Sequence, residues 1–192
     1  APDRLPPGAA YVRLPFNENG SKIRQMAEVI VNLRRMDEVM LQIYSGLAFE
    51  TGAAKLGALL RILAADDRAL PALIHCSAGK DRTGLTAAVL LSVLGVPDAV
   101  IDADYALSNR SYPAFYEGIA RHTGSGWGMG LVADDIHPLL LADPVMLRSM
   151  FAHMRVRYGS VEGYLAECAD VDEAVLAQLR ARLLEPDDPE PA

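Results

Sequence analysis

The chain reads as one α/β domain, a small and mostly parallel sheet flanked by helices. Three observations carry this expectation. Apolar residues recur at helical spacing through most of the 192 residues. A short apolar segment, Leu73-Ile74, runs into a loop holding Gly79 and Gly84, and a helix-like run from Leu85 to Leu94 follows. With 51% hydrophobic residues, a chain of this length can bury a sizeable single core.

Residues 1–10, with Pro2, Pro6 and Pro7, read as loop, and Tyr11 to Leu14 as a strand ended by Pro15 and a polar turn, Asn17 to Ser21. From Lys22 to Tyr44, Ile23, Met26, Ile30, Leu33, Met36, Met40 and Ile43 mark a helix whose stripe faces the core rather than a partner. Thr51 to Ala64 reads as a second helix, with Leu56, Leu59, Leu60 and Leu63 on one side. Asp66 to Pro71 then turns into a second strand, Ala72 to Cys76. The helix after the loop stops at Gly95 with Pro97 behind it. Asp98 to Leu107 reads as helix, and Ser111 to Tyr116 either extends it or opens a lid.

Gly124 to Gly130 misses the dinucleotide fingerprint, because position 129 is Met and no strand leads in. It reads as a lid hinge or a plain surface loop, with Trp127 either stacking on a substrate or packing. The chain is helical again after Pro138; Pro144 suits a first turn and Met146 to Val156 continues the pattern. Gly159-Ser160 supplies a break and an N-cap. Asp170 with Glu173 reads as a capping box for a last helix ending at Leu184, and 185–192 as a frayed acidic tail of a single domain spanning 1–192. Two strands make an unusually small sheet, so the first strands are expected to lie ahead of Ala1.

Composition narrows the function. A net charge of −7 argues against sequence-independent nucleic-acid binding. Two cysteines, Cys76 and Cys168, make no disulfide framework and fit reduced surroundings; Cys168 sits in a helical pattern and reads as packing. The longest apolar run, Ala87 to Val96, is too short to span a bilayer, and no signal peptide is visible, which leaves a cytoplasmic or a secreted location open. His75, His122, His137 and His153 lack metal-ligand spacing, and neither a metal nor a cofactor is expected. Oligomeric state is not legible.

The chemistry concentrates in residues 75–84, His-Cys-Ser-Ala-Gly-Lys-Asp-Arg-Thr-Gly. The thiolate, not the thiol, is the nucleophile, and inward-pointing loop amides, a helix N-terminus and Arg82 would all favour it at Cys76. The same concavity suits a phosphate dianion. Arg82 can grip two phosphoryl oxygens with a planar fork. The amides of Ser77, Ala78 and Gly79 line the loop, and Gly79 and Gly84 permit angles and approaches that a Cβ obstructs. The Thr83 hydroxyl can bond the sulfur and help it leave, and His75 braces the backbone. The implied reaction is two-step, through a cysteinyl-phosphate that water hydrolyses.

Asp81 is the first choice of general acid, against a loop-bracing role. Asp66 and Asp67 should sit at the strand's far end, roughly 13 Å or more away at about 3.3 Å per residue; Asp104 and Glu50 are outside candidates. Lys80 is expected to add charge at the rim, suiting a substrate with several phosphates, against a plain solvated role.

This loop resembles that of the cysteine-dependent protein tyrosine phosphatases, and Gly79-Lys80-Asp81-Arg82-Thr83-Gly84 resembles the bacterial atypical tyrosine/phosphoinositide phosphatases. Asp104-Tyr105-Ala106-Leu107-Ser108-Asn109 is similar to that family's Asp-Tyr-Leu-x-Ser-Asn segment. Tyr158-Gly159-Ser160 through Tyr164-Leu165 is similar to its Tyr-Gly-Ser-x-x-x-Tyr-Leu signature. The resemblance implies a protein tyrosine phosphatase-like fold, Cys76 as nucleophile, Arg82 on the phosphate and Asp81 as acid. It also implies phosphotyrosine activity extending to phosphoserine, phosphothreonine and phosphoinositides, so that the partner is a phosphorylated protein or a phosphoinositide. The family's Asp-Leu-Arg…Glu segment is not found here, which again places a front portion ahead of Ala1. The competing functions are a non-catalytic phosphate-binding module and, less favoured, sulfur or arsenate transfer.

Overall fold

A computed structural model of the chain describes residues 5–16, 36–45, 52–114, 116–117 and 140–185. Its regular structure is helical: α1 (Met36–Ser45), α2 (Gly52–Ala65), α3 (Asp81–Val93), α4 (Asp98–Ala106), a 3₁₀ turn (Leu107–Ser111), α5 (Pro144–Tyr158), α6 (Val161–Ala169) and α7 (Glu173–Leu183).

The expected sheet is therefore corrected: no strand occurs among the described residues. Tyr11 to Leu14 and Ala72 to Cys76 are irregular chain. A strand exists only by pairing with a neighbour, and no backbone bond joins these two stretches among the described residues. Leu73, the apolar residue that marked the second strand, is 89% exposed, so nothing covers it.

The helices form as their sequences require. In α2, Ala53, Leu56, Leu60, Leu63 and Ala64 share one buried stripe. Gly57 lies on the same face, where a Cβ would stand 1.8 Å from the Ala169 carbonyl oxygen, so glycine alone lets α2 and α6 touch. Arg61 completes that junction by donating to the Ala169 and Asp170 carbonyls at the end of α6. In α5, Asp143 caps the N-terminus by accepting from Val145 N–H at 2.8 Å, and Pro144 opens the first turn. Gly159 ends α5 at φ +81, and Ser160 caps α6 by accepting from Gly163 N–H at 2.9 Å.

The last cap differs from expectation. Asp172, not Asp170, caps α7, accepting from Val175 N–H at 3.0 Å. Asp170 instead ends α6 in the left-handed region at φ 55, which shifts the cap two residues along.

α5 packs on α6, α2 on both α6 and α7, and α3 on α4 and α6. Leu60, Val89, Leu147, Met154, Leu165 and Leu179 form the heart of the core. Arg180 of α7 donates to the Val93 carbonyl and so closes the C-terminus of α3. The result holds the N-terminus of α3 fixed at one edge of the helical body, with residues 71–80 leading into it.

The helix expected over Lys22 to Tyr44 is described only from Met36. The Gly124 to Gly130 segment with Trp127, the second and third histidines, Glu50 and residues 186–192 lie outside the described residues.

Candidate active site

Helix α3 begins inside the loop, at Asp81, four residues before the apolar run that announced it. Its first intrahelical bond, Gly84 N–H to the Lys80 carbonyl, is 2.7 Å. Lys80 occupies the N-cap and offers no side-chain cap bond. A lysine has no acceptor to spend on the helix amides, so the first-turn N–H groups remain available to an anion.

Cys76 Sγ takes up that role. Gly79 reaches φ +69, a left-handed conformation that folds the loop back, and its N–H donates to the sulfur at 3.2 Å. Burial pushes the Cys76 thiol up, but the nearby Thr83 hydroxyl and the N–H groups of Ala78, Thr83 and Gly79 favour the thiolate and outweigh it. The net effect holds the thiol below its ordinary range. Thr83 Oγ1 is itself buried and lies beside the sulfur without full hydrogen-bond geometry to any partner among the described residues.

The Arg82 guanidinium crosses the loop, and its Nη2 donates to Ser77 Oγ at 2.6 Å, on the residue after Cys76. Ser77, Ala78, Gly79 and His75 are exposed, while Cys76 and Arg82 are half-buried. Thr86, one turn on, ties its hydroxyl to the Arg82 carbonyl at 2.8 Å and steadies the helix start.

Lys80 does not stand at the rim. It is 7% exposed, its Nζ donates to the Leu141 carbonyl at 2.9 Å, and it pairs with Asp81 Oδ1 at 3.1 Å. Asp81 also accepts from the Tyr44 hydroxyl at 2.7 Å, and the Tyr44 and Tyr105 hydroxyls touch. Asp81 keeps partial exposure, with 27% of its side chain open. Asp66 and Asp67 are engaged elsewhere, with Arg68 and Arg182, and Asp104 is exposed on α4.

Three contributors were not singled out from the sequence. Tyr44 and Tyr105 are buried beneath the loop. Asn109 grips Ala142 twice, donating to its carbonyl at 3.0 Å and accepting from its N–H at 2.7 Å. That grip and the Lys80–Leu141 bond together fix residues 141–142 under the loop. The Asp-Tyr-Ala-Leu-Ser-Asn segment held the signal for two of the three, but nothing local in it reveals the partners. Tyr105 also explains Gly84: a Cβ there would lie 2.5 Å from the Tyr105 ring.

Among the described residues, no group of three or more His, Cys, Asp or Glu side chains is placed to hold a metal ion, and no helix is long and apolar enough to cross a membrane. The positive groups at this site are amides and a guanidinium, which suits a tetrahedral oxyanion.

Comparison with known proteins agrees with that chemistry. Residues 1–185 match the profile of the tyrosine phosphatase family. The chain is 34% identical over 151 residues to a Cupriavidus necator protein provisionally named a tyrosine-protein phosphatase, covering 78% of this chain and 51% of that protein. It is 29% identical over 192 residues to the triple specificity protein phosphatase PtpB of Mycobacterium tuberculosis, covering 96% and 68%. It is 35% identical over 127 residues to a tyrosine-protein phosphatase of Nostoc commune, covering 64% and 42%. The chain thus spans about half the length of the first of these relatives and less than half of the last.

Proposed function

The chain belongs to the tyrosine phosphatase family, and from that premise we propose that it hydrolyses phosphomonoesters through Cys76. The observation that carries the reading is the sulfur itself. It is gathered by three loop amides and a hydroxyl, its thiol is held below the ordinary range, and it stands at an uncapped helix N-terminus.

In the first step the Cys76 thiolate attacks phosphorus and the bond to the leaving oxygen breaks, giving a cysteinyl-phosphate. The amides of residues 77–79 and the Arg82 guanidinium, turning from Ser77 onto the phosphoryl oxygens, hold the charge that spreads over the equatorial oxygens. Asp81 gives its proton to the leaving oxygen. In the second step water attacks phosphorus, its proton passes to Asp81 and the thiolate departs, helped by the Thr83 hydroxyl.

Phosphotyrosine is the primary substrate in this reading. The triple-specificity naming of the Mycobacterium tuberculosis relative supports a wider range, with phosphoserine, phosphothreonine and phosphoinositides as further substrates. The buried position of Lys80 removes the argument that it reads extra phosphates at the rim.

The test is turnover of an aryl phosphate by the wild-type chain and by Cys76→Ser. A hydroxyl is far less ionised than this thiol, so a loss of about 10³-fold or more is expected. Equal turnover overturns the proposal, and phosphate binding without turnover in either protein establishes the non-catalytic module instead.

A further inference from the structure

Resting on Asp81 as the acid, we propose that Tyr105 and Tyr44 form a one-way hydrogen-bond relay that fixes Asp81 through Oδ1 and reserves Oδ2 for the transferred proton. Both phenols are positioning residues: Tyr44 touches the acid, and Tyr105 acts through Tyr44.

The direction of the relay follows from counting protons. A phenol has one O–H. Tyr44 gives its own to Asp81 Oδ1 at 2.7 Å. At the contact between the two hydroxyls the Tyr44 oxygen must therefore accept, and Tyr105 must donate. Both rings are buried, Tyr44 at 1% and Tyr105 at 3% exposure. Burial first, then the neighbouring Asp81 charge, raises the Tyr44 phenol. The Tyr105 phenol is also raised, chiefly by burial. Both keep their protons at neutral pH, and the relay stays intact.

Lys80 meets the same carboxyl oxygen. Its ammonium lies 3.1 Å from the same Oδ1 and is braced on the Leu141 carbonyl. Among the described residues, the Tyr44 and Lys80 contacts of Asp81 thus converge on one carboxyl oxygen. When Asp81 is protonated, an oxygen already receiving two donors acts as the carbonyl-like acceptor, and the proton sits on Oδ2. The Oδ2–H then donates to the leaving oxygen as its bond to phosphorus breaks and the sulfur–phosphorus bond forms. The carboxylate left behind keeps Oδ1 stabilised by Tyr44 and Lys80. In the hydrolytic step the attacking water returns a proton to Oδ2 as the sulfur–phosphorus bond breaks.

Gly84 adds an independent constraint, because any side chain there would displace the Tyr105 ring. The relay also spans the fold: Tyr44 lies in the last turn of α1, Tyr105 sits in α4 and Asp81 opens α3.

The experiment uses the full chain and a series of phosphate esters, from nitrophenyl to phenyl to alkyl. Asp81→Asn serves as the reference, and a loss of about 10²-fold on poor leaving groups with little loss on nitrophenyl phosphate is expected. Tyr44→Phe should show the same leaving-group dependence, with about a tenfold loss on the poor esters. Tyr105→Phe, acting through Tyr44, should lose less, and the double variant should be no worse than Tyr44→Phe alone. Thermal melts establish that each variant is folded, and Tyr105→Phe supplies the readout should Tyr44→Phe fail to fold. An equal loss across the series, or additive effects in the double variant, overturns the relay. If Asp81→Asn lacks leaving-group dependence, the acid assignment falls and takes the relay with it. If Asp81→Asn shows the dependence and the tyrosine variants do not, the relay alone falls.

Discussion

Cys76 owes its ionisation to hydrogen bonds. Burial works against the thiolate, and the Thr83 hydroxyl with the Ala78, Thr83 and Gly79 amides more than offsets it. The sign for reactivity follows: the thiol deprotonates as pH rises through a value lower than that of an unperturbed thiol. Alkylation by iodoacetamide should therefore have its midpoint at a lower pH than that of a free cysteine thiol. The same shift contributes stability that is fully present above the ordinary thiol pKa and is lost as pH falls through the depressed value. Thr83→Val keeps the shape and removes the hydroxyl, so its alkylation midpoint should move upward; an unmoved midpoint would show that the hydroxyl does nothing for the sulfur. At this scale the loop was legible in the sequence because its chemistry is local. Cys76, Gly79 and Thr83 interact within eight residues, and their spacing alone reveals them. Lys80 was misjudged because its partner, the Leu141 carbonyl, lies 61 residues away. Tyr44 and Tyr105 also meet across 61 residues, and no spacing rule brings them together.

Helix positions were largely legible, since the apolar stripes of α2 and α5 and the breaks at Gly95 and Gly159 act over one or two turns. The strands were not. A short apolar run such as Leu73-Ile74 carries no period that separates strand from exposed chain, and pairing is decided by distant residues. The shifted cap at α7 has a similar origin, because an acidic residue in a left-handed α6 terminus looks like an N-cap when only spacing is read. The junction of α2 with α6 permits a comparison between two kinds of contact. Ser160→Ala removes one cap bond and should cost about 1 kcal/mol. Gly57→Ala places a Cβ 1.8 Å from a backbone oxygen that no side-chain rotation can clear. The helices must part, at a cost at or above the usual ~1–3 kcal/mol of overpacking, which outweighs the ~1 kcal/mol that alanine gains in helix propensity. Urea midpoints should rank wild type, then Ser160→Ala, then Gly57→Ala. A Gly57→Ala chain as stable as wild type would contradict the close approach of these helices.

Across the molecule, stiffness and reactivity are separated. The core is shared by α2, α3, α5, α6 and α7, whereas Pro71, Ala72, Leu73, His75, Ser77, Ala78 and Gly79 are exposed. The loop is anchored to that body from its far end, where Lys80 and Asp81 meet residues from α1 and the stretch before α5. Local opening should therefore cost little at 72–79 and most in the packed helices. Amide exchange on the free chain should be fast over 72–79 and slow in the middle of α2, α3 and α6. Adding a phosphate-like oxyanion such as vanadate should slow exchange over 76–84, because a ligand that binds only the folded loop stabilises it by mass action. Slow exchange at 72–76 in the free chain would mean that this stretch has found a ladder partner after all, and the helical description of this part of the fold would fail. The division also accounts for how one short segment can carry both halves of the chemistry. The sulfur and its amides need freedom to close on a phosphate, and α3, locked between α4 and α6, gives that movement a fixed point to close against.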